Sequence, residues 1–86
     1  MELNELKKAI EKHDYNKNIK DGNIIIKLNE PHEMFLNNIN LYSKIQKIIL
    51  NKNKNNYIIQ LYDNEDNLKL NEDLSKIKSL RIYLNL

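Results

Sequence analysis

The chain has 86 residues, of which 14 are Lys or Arg and 12 are Asp or Glu, so its formal net charge is +2. This length suits one domain with a modest core, and we treat residues 1–86 as a single domain. An apolar share of 41% excludes a wholly disordered chain. The absence of Cys excludes a disulfide framework and a thiolate metal site. The N-terminus lacks a secretory pattern and no apolar run could span a bilayer, so we expect a cytoplasmic protein without membrane association.

The amino-acid composition limits how much can be inferred about function from the Asn-rich runs. Asn, Lys and Ile are abundant, whereas Val, Thr and Trp are absent. A very A/T-rich coding sequence produces this bias. The Asn runs are therefore weak evidence of function.

The N-terminal segment predicts an amphipathic helix from about Glu2 to Asp14. Its apolar side recurs at spacings of three and four residues and consists of Leu3, Leu6, Ala9, Ile10 and His13. A turn follows over residues 16–23, which contain the only Gly. Residues 23–29 predict a strand with apolar side chains on both faces, which favours an interior position in a sheet.

The next segment, residues 31–51, predicts helical structure with Pro31 at the first helical position and an apolar stripe from Met34 to Leu50. Seven apolar residues trace a broad helical stripe, namely Met34, Phe35, Ile39, Tyr42, Ile45, Ile48 and Ile49. The Asn residues at 37, 38 and 40 weaken its middle, because Asn prefers caps and turns. One continuous helix and two shorter helices both remain open.

The C-terminal part predicts a strand over residues 57–62, an Asp- and Asn-rich turn over 63–67, and a returning strand through Leu68 and Leu70. Residues 71–79 suggest a short helical turn with Leu74 and Ile77 facing inward. Strict alternation from residue 80 to 86 predicts a final strand. The expected fold is α+β, a two-layer sandwich with helices on one face of a four-stranded mixed or antiparallel sheet, in the order α-β-α-β-β-(short helix)-β.

Catalytic, metal and cofactor sites are not indicated. A nucleophile needs a base nearby, yet the two His residues lie on separate elements and one Gly cannot build a phosphate loop. His13-Asp14 and His32-Glu33 offer possible metal ligands, but ordinary roles at helix ends are favoured. The acidic run at 63–67 lacks the Gly of a calcium loop. We expect no enzyme activity, no metal and no cofactor.

Protein binding is the leading expectation. A single helix layer covers one face of a sheet, so apolar and aromatic side chains on the other face are available to a partner. Tyr62 and Tyr83 are the expected aromatic anchors, since Tyr suits interfaces. The expected acidic rim consists of Asp63, Glu65, Asp66, Glu72 and Asp73.

Two alternatives remain. The first is a nucleic-acid-binding accessory domain using a basic patch of Lys44, Lys47, Lys52, Lys54 and Tyr57, although direct base reading relies on Arg and the chain has one, Arg81. The second is a structural homodimer formed through the edge of the terminal strand.

Two segments resemble known families. Residues 3–15, LNELKKAIEKHDY, resemble the first helix of a small prophage-encoded anti-CRISPR protein that occludes the DNA-binding groove of a CRISPR nuclease. That resemblance implies a nucleic-acid-processing partner and acidic side chains that mimic DNA. The succession of apolar and polar segments in GNIIIKLNE and KIQKIILNKNKNNYIIQLYDNEDNLKL is similar to that in the C-terminal module of bacterial replicative polymerase alpha subunits. That module binds a clamp-loader subunit. Both resemblances imply protein binding, and the first implies an inhibitor encoded by a mobile element.

Overall fold

The computed structural model describes residues 1–83 and is dominated by antiparallel strands. The elements in chain order are helix α1 (Leu3–Glu11), strands β1 (Tyr15–Lys20), β2 (Asn23–Leu36), β3 (Asn40–Asn53), β4 (Asn56–Asp63) and β5 (Leu68–Asp73), the 3-10 turn η1 (Leu74–Lys76), and strand β6 (Leu80–Ile82). No helix in this part of the chain has the length and apolar character needed to cross a bilayer.

All strand pairs are antiparallel, and β2 has three neighbours. The sheet follows the order β1-β2-β3-β4-β5, and β6 also pairs with β2. The N-terminal half of β2 pairs with β1, while its C-terminal half pairs with β6. Since β3 pairs with both halves, β1 and β6 share the opposite edge of β2.

A large bulge interrupts the pairing of β2 with β3. Its Lys27 pairs with Lys47 and its His32 pairs with Ile45, so residues 28–31 of β2 face only Gln46 of β3. Pro31 lies in this bulge, which suits a residue that has no backbone N–H to give to a ladder. The bulge separates the half of β2 beside β1 from the half beside β6.

One hydrophobic core lies on a single face of the sheet. It contains the buried residues Leu6, Ile10, Ile26, Leu28, Met34, Leu36, Ile45, Ile48, Leu50, Ile59, Leu61, Leu74, Ile77 and Leu80. Both α1 and η1 contribute to it, so both cover the same face.

The α+β prediction is wrong. The chain forms a six-stranded antiparallel sheet with one short helix, and the segment predicted as a second helix forms the end of β2 and most of β3. Two irregularities explain the helix-like spacing. A register shift lies between Ile45 and Lys47, and Lys44 has a φ of 61°. Each extra residue lets side chains three positions apart face the core from a strand.

Several other elements agree with the sequence analysis. Strands β4 and β5, the turn η1 and the interior position of β2 are all found, and Leu74 and Ile77 are buried as expected. Strand β1 was not predicted, and α1 ends three residues before the predicted end. The last part of the predicted terminal strand, residues 84–86, lies outside the described residues.

Candidate functional site

The face of the sheet opposite the core forms the candidate site, which we call the outer face. Ile49 lies between the buried residues Ile48 and Leu50, so strand alternation turns its side chain away from the core. Ile25 and Ile58 likewise precede the buried residues Ile26 and Ile59. Within residues 1–83 the helical elements lie on the core side, so no element covers this face.

Ile49 is the centre of the apolar part of the outer face. Ile25 is its direct partner across the β2–β3 pair, and Gln60 is its partner on β4. Ile58 and Tyr62 lie two residues on either side of Gln60, at diagonal positions that long side chains can bridge. All four apolar or aromatic side chains are half-buried and so remain partly open to solvent. We call Ile25, Ile49, Ile58 and Tyr62 the outer-face cluster.

Polar side chains fix the surroundings of this cluster. The Asn51 amide donates to Gln60 Oε1 at 3.1 Å, and the Gln60 amide donates to Asn71 Oδ1 at 3.4 Å. These bonds link β3, β4 and β5 across the outer face. A partner would therefore meet oriented amides, which cost less conformational entropy to engage than free side chains.

Lys47 joins the cluster to the β4–β5 turn. Its Nζ atom lies 4.5 Å from the centre of the Tyr62 ring and 2.9 Å from Asp66 Oδ1. Lys47 therefore contacts the Tyr62 ring through a cation–π interaction, and Asp66 forms an ion pair with Lys47. Tyr62, Lys47 and Asp66 thus form one side of the candidate site.

The five predicted acidic residues do not form one surface. Asp63, Glu65 and Asp66 lie at the β4–β5 turn, whereas Glu72 and Asp73 lie at the far end of β5. The length of β5 separates these two groups by roughly 17 Å, at about 3.4 Å per residue. Only the first group adjoins the outer-face cluster, through Asp66.

Asp63 stabilises its own turn. Its Oδ1 accepts hydrogen bonds from the backbone N–H groups of Glu65 and Asn67, both at 2.9 Å, and its Oδ2 accepts one from the Asn67 amide at 3.1 Å. The Asn67 backbone N–H is the main cause that lowers the pKa of Asp63 below its ordinary value. Asp63 therefore mainly stabilises the β4–β5 turn, because both of its carboxylate oxygens already accept hydrogen bonds there.

Asp73 has a similar local role at η1. Its Oδ1 accepts from the Ser75 backbone N–H at 2.9 Å and from the Ser75 hydroxyl at 2.8 Å, and the backbone bond is the larger cause of its lowered pKa. Glu72 Oε1 lies 3.8 Å from Lys76 Nζ. In contrast, the Glu65 carboxylate has no hydrogen bond or ion pair within residues 1–83, so it is the acidic side chain most available at the turn.

The second predicted aromatic anchor, Tyr83, lies on another part of the molecule. It follows β6, and its backbone N–H donates to the Glu33 carbonyl on the second half of β2. Its ring meets Phe35 edge to face with 5.1 Å between centroids, and its side chain is exposed. The structure therefore does not bring Tyr83 and Tyr62 together.

The predicted basic patch is also divided. Lys47 lies on the outer face, but Lys52 pairs across the strands with Tyr57, which packs against the core side. Lys44 lies at the irregularity in β3 and Lys54 lies in the β3–β4 turn. These cations do not share one face.

The helix-end role predicted for His32 is wrong, because His32 lies within β2 and forms a buried pair with His13. His13 and His32 are each only 8% exposed, and their rings meet at an angle of 67° with 4.6 Å between centroids. His13 Nε2 donates to the Ile82 carbonyl at 3.2 Å, and His32 Nδ1 donates to the Tyr83 carbonyl at 2.8 Å. The pair fixes the C-terminal end of β6 against β2. No sequence signal joins two histidines 19 positions apart on different elements.

The surroundings of His13 disfavour its charged form. Burial is the main cause that lowers the pKa of His13, and the neighbouring His32 and Lys12 act in the same direction. The Ile82 carbonyl and Asp14 oppose this effect without cancelling it. Its other ring nitrogen, Nδ1, is buried and has no hydrogen-bond partner. A proton placed there would have no acceptor.

The histidine pair does not extend into a larger ligand set. Among residues 1–83, no group of three or more His, Asp or Glu side chains is arranged to hold a metal ion. Comparison of the chain with protein-family models, curated proteins and solved structures found no match.

Proposed function

We propose that this protein is a non-catalytic binding module that acts by covering part of a partner protein with its outer face. The observation that carries the proposal is the outer-face cluster, in which Ile49 has apolar neighbours on both adjoining strands and no covering element within residues 1–83. An apolar patch bordered by polar groups is typical of a protein interface.

The arrangement of polar side chains supports a binding role over a catalytic one. Both histidines direct a ring nitrogen at a backbone carbonyl, and the Ser75 hydroxyl is directed at Asp73. These contacts engage one nitrogen of each imidazole and the Ser75 hydroxyl in local structure, which is our reason for proposing binding and not catalysis. Tyr62 would anchor the partner, with Glu65 and Asp66 at the border of the contact.

The finer proposal is an inhibitor encoded by a mobile element, of the anti-CRISPR or another anti-defence class. It is supported by the resemblance of residues 3–15 to the first helix of such a protein. It is also supported by the amino-acid composition, which is the kind that an A/T-rich coding sequence produces. A nucleic-acid-processing effector is the partner class that this resemblance implies. Glu65 is the acidic side chain best placed to meet a basic groove.

The decisive experiment identifies a partner and then measures binding with purified components. Proteins captured from host extracts by the wild-type chain would be identified, purified and titrated calorimetrically against wild-type and Ile49→Lys chains. A buried Lys at the centre of the contact should weaken binding by about 30-fold or more, as expected at an interface hot spot.

Ile39→Lys is the matched control. Ile39 is 83% exposed in the β2–β3 turn, outside the outer-face cluster, so this substitution should leave affinity unchanged. Thermal unfolding would verify that both variants remain folded. Equal affinity of the wild-type and Ile49→Lys chains for the purified partner would overturn the proposal.

A further inference from the structure

The free edge of β1 is a second feature with no assigned role. Strand β1 is the first strand in the sheet order, all six of its residues are exposed, and Ile19 is 66% exposed. Within residues 1–83 no strand pairs with its outer edge. An unpaired edge of this length can accept an added strand.

The β1–β2 turn determines which backbone groups face that edge. The turn has two residues, Asp21 and Gly22, with φ values of 54° and 79°, which is the geometry of a tight hairpin. Lys20 and Asn23, which flank it, therefore exchange hydrogen bonds, and the pattern alternates along the strand. The backbone N–H and C=O groups of Tyr15, Lys17 and Ile19 consequently point to the open edge.

A groove runs beside this edge on the core side of β1. It has a volume of about 130 Å³ and lies between α1 and the first strands. Leu6 and Ile10 line it from the helix, and Ile24 and Ile26 line it from β2. An apolar cavity of about 150 Å³ accommodates benzene, so this groove has room for one branched aliphatic side chain.

The charge around the groove indicates the occupant. Lys7 and Lys17 line the groove with one carboxylate, Glu11, while β1 itself carries Lys17 and Lys20 and no acid. None of these three lysines forms an ion pair within residues 1–83. A second copy pairing through β1 would place four lysines in one short ladder, which disfavours self-association there.

We propose that the β1 edge binds an extended peptide segment of a partner protein by strand addition. The segment carries an aliphatic side chain with an acidic residue two positions away on each side. The aliphatic side chain fills the groove between α1 and β1, and the flanking carboxylates meet Lys7 and Lys17. The backbone of the segment bonds to the outward groups of Tyr15, Lys17 and Ile19.

A synthetic peptide tests this directly. The probe is the capped heptapeptide Thr-Glu-Thr-Leu-Thr-Glu-Thr, titrated into ¹⁵N-labelled protein. We expect saturable NMR shifts and slower hydrogen exchange at the amides of Tyr15, Lys17 and Ile19. The same peptide with alternate backbone amides N-methylated should not bind, because it cannot form the ladder. Equal binding of the methylated peptide would overturn the proposal, as would absence of saturation at millimolar concentration.

Protein variants separate strand addition from simple charge attraction. Lys17→Glu should weaken peptide binding by about fivefold. Lys8→Glu is the control: Lys8 lies on α1 but does not line the groove, so its replacement should change peptide affinity little. Ile19→Pro removes an N–H that points outward, so it should abolish binding while the β1–β2 ladder stays intact. Binding that survives Ile19→Pro in a folded protein would contradict the proposal.

This edge is distinct from the outer face, so the two proposals can fail separately. Ile49→Lys should leave the heptapeptide affinity unchanged, since Ile49 lies on the opposite face of the sheet from the groove. Peptide-induced shifts confined to the outer face would overturn the edge proposal alone. A concentration-dependent dimer in sedimentation that the peptide fails to dissociate would assign the edge to a second copy instead, which also overturns it.

Discussion

At the scale of single residues, we expect His13 to make the stability of the protein depend on pH. The folded state lowers the pKa of this side chain through burial, the adjacent His32 and Lys12. The unfolded chain therefore binds a proton more readily than the folded chain does. The contribution of neutral His13 is complete above its ordinary pKa of 6.5 and is lost as the pH falls below that value.

We therefore predict that the free energy of unfolding decreases as the pH is lowered from 7.5 to about 5. Urea unfolding across this range measures the effect. His13→Gln is the matched variant, because its amide can still donate to the Ile82 carbonyl but does not titrate. Its stability should depend less on pH than that of the wild type. Identical pH profiles for the two proteins would show that His13 is not responsible.

At the scale of elements, the β2–β3 turn holds the segment that leads into β6. Asn37 adopts a φ of 52°, and its Oδ1 accepts hydrogen bonds from the backbone N–H groups of Lys78, at 2.6 Å, and Ser79, at 3.2 Å. Its own backbone N–H donates to the Ser79 carbonyl at 2.9 Å. One turn residue thus ties the β2–β3 hairpin to a segment more than 40 positions away.

Replacing this Asn should be costly. Asn37→Ala leaves the part-buried Ser79 N–H without its side-chain acceptor and retains a backbone conformation that Ala disfavours, so we expect a loss of about 2 kcal/mol in the free energy of unfolding. The neighbouring Asn38→Ala has the same backbone penalty, with a φ of 54° and an exposed side chain, and should cost about 1 kcal/mol. Chemical denaturation compares them. Similar losses would indicate that the Asn37 side-chain bonds contribute nothing.

The same elements show what could be read from the sequence. Strand β4 was predictable because its apolar side chains alternate in burial, and β5 was predictable because Asp and Asn residues mark the turn that precedes it. The prediction of a second helix was wrong because two irregularities in β3 place core-facing side chains three residues apart, where a regular strand places them two apart. β-branched Ile at positions 45, 48 and 49 favours strand, and that preference was outweighed by the spacing. Strand β1 was missed because its six residues are all exposed and carry no apolar period.

The candidate site was predictable only in part. The turn of acidic residues and Tyr62 lie beside one another in sequence, so their proximity needs no tertiary information. The separation of Tyr83 from Tyr62, the division of the lysines and the meeting of His13 with His32 all depend on which strands pair. Strand pairing between distant segments leaves no local signal in a single sequence.

At the scale of the whole molecule, the pairing of β6 with β2 joins distant parts of the chain. Met34 pairs with Ile82 and Leu36 pairs with Leu80, whereas β3 and β4 are joined by a two-residue turn. Closing the larger loop costs more entropy before any contact compensates for it. We expect folding on a scale of milliseconds to seconds, with the β3–β4 hairpin forming before β6 docks.

A pair of matched substitutions tests this order. Leu61→Ala in β4 should mainly slow folding, and Leu80→Ala in β6 should mainly accelerate unfolding, although both side chains are buried in the core. Stopped-flow chevron plots separate the two rates. The reverse assignment of effects would mean that β6 docks before the hairpin is complete.

The bulge at residues 28–31 divides the long strand β2 into two halves. Its first half is held by β1 and its second by β6, and the intervening residues share a single partner on β3. Local unfolding of one half of β2 should therefore stop at the bulge and not spread to the other half. A peptide that binds beside β1 should therefore alter hydrogen exchange in the first half of β2, while the amide protons of the histidine-bound second half stay protected from solvent.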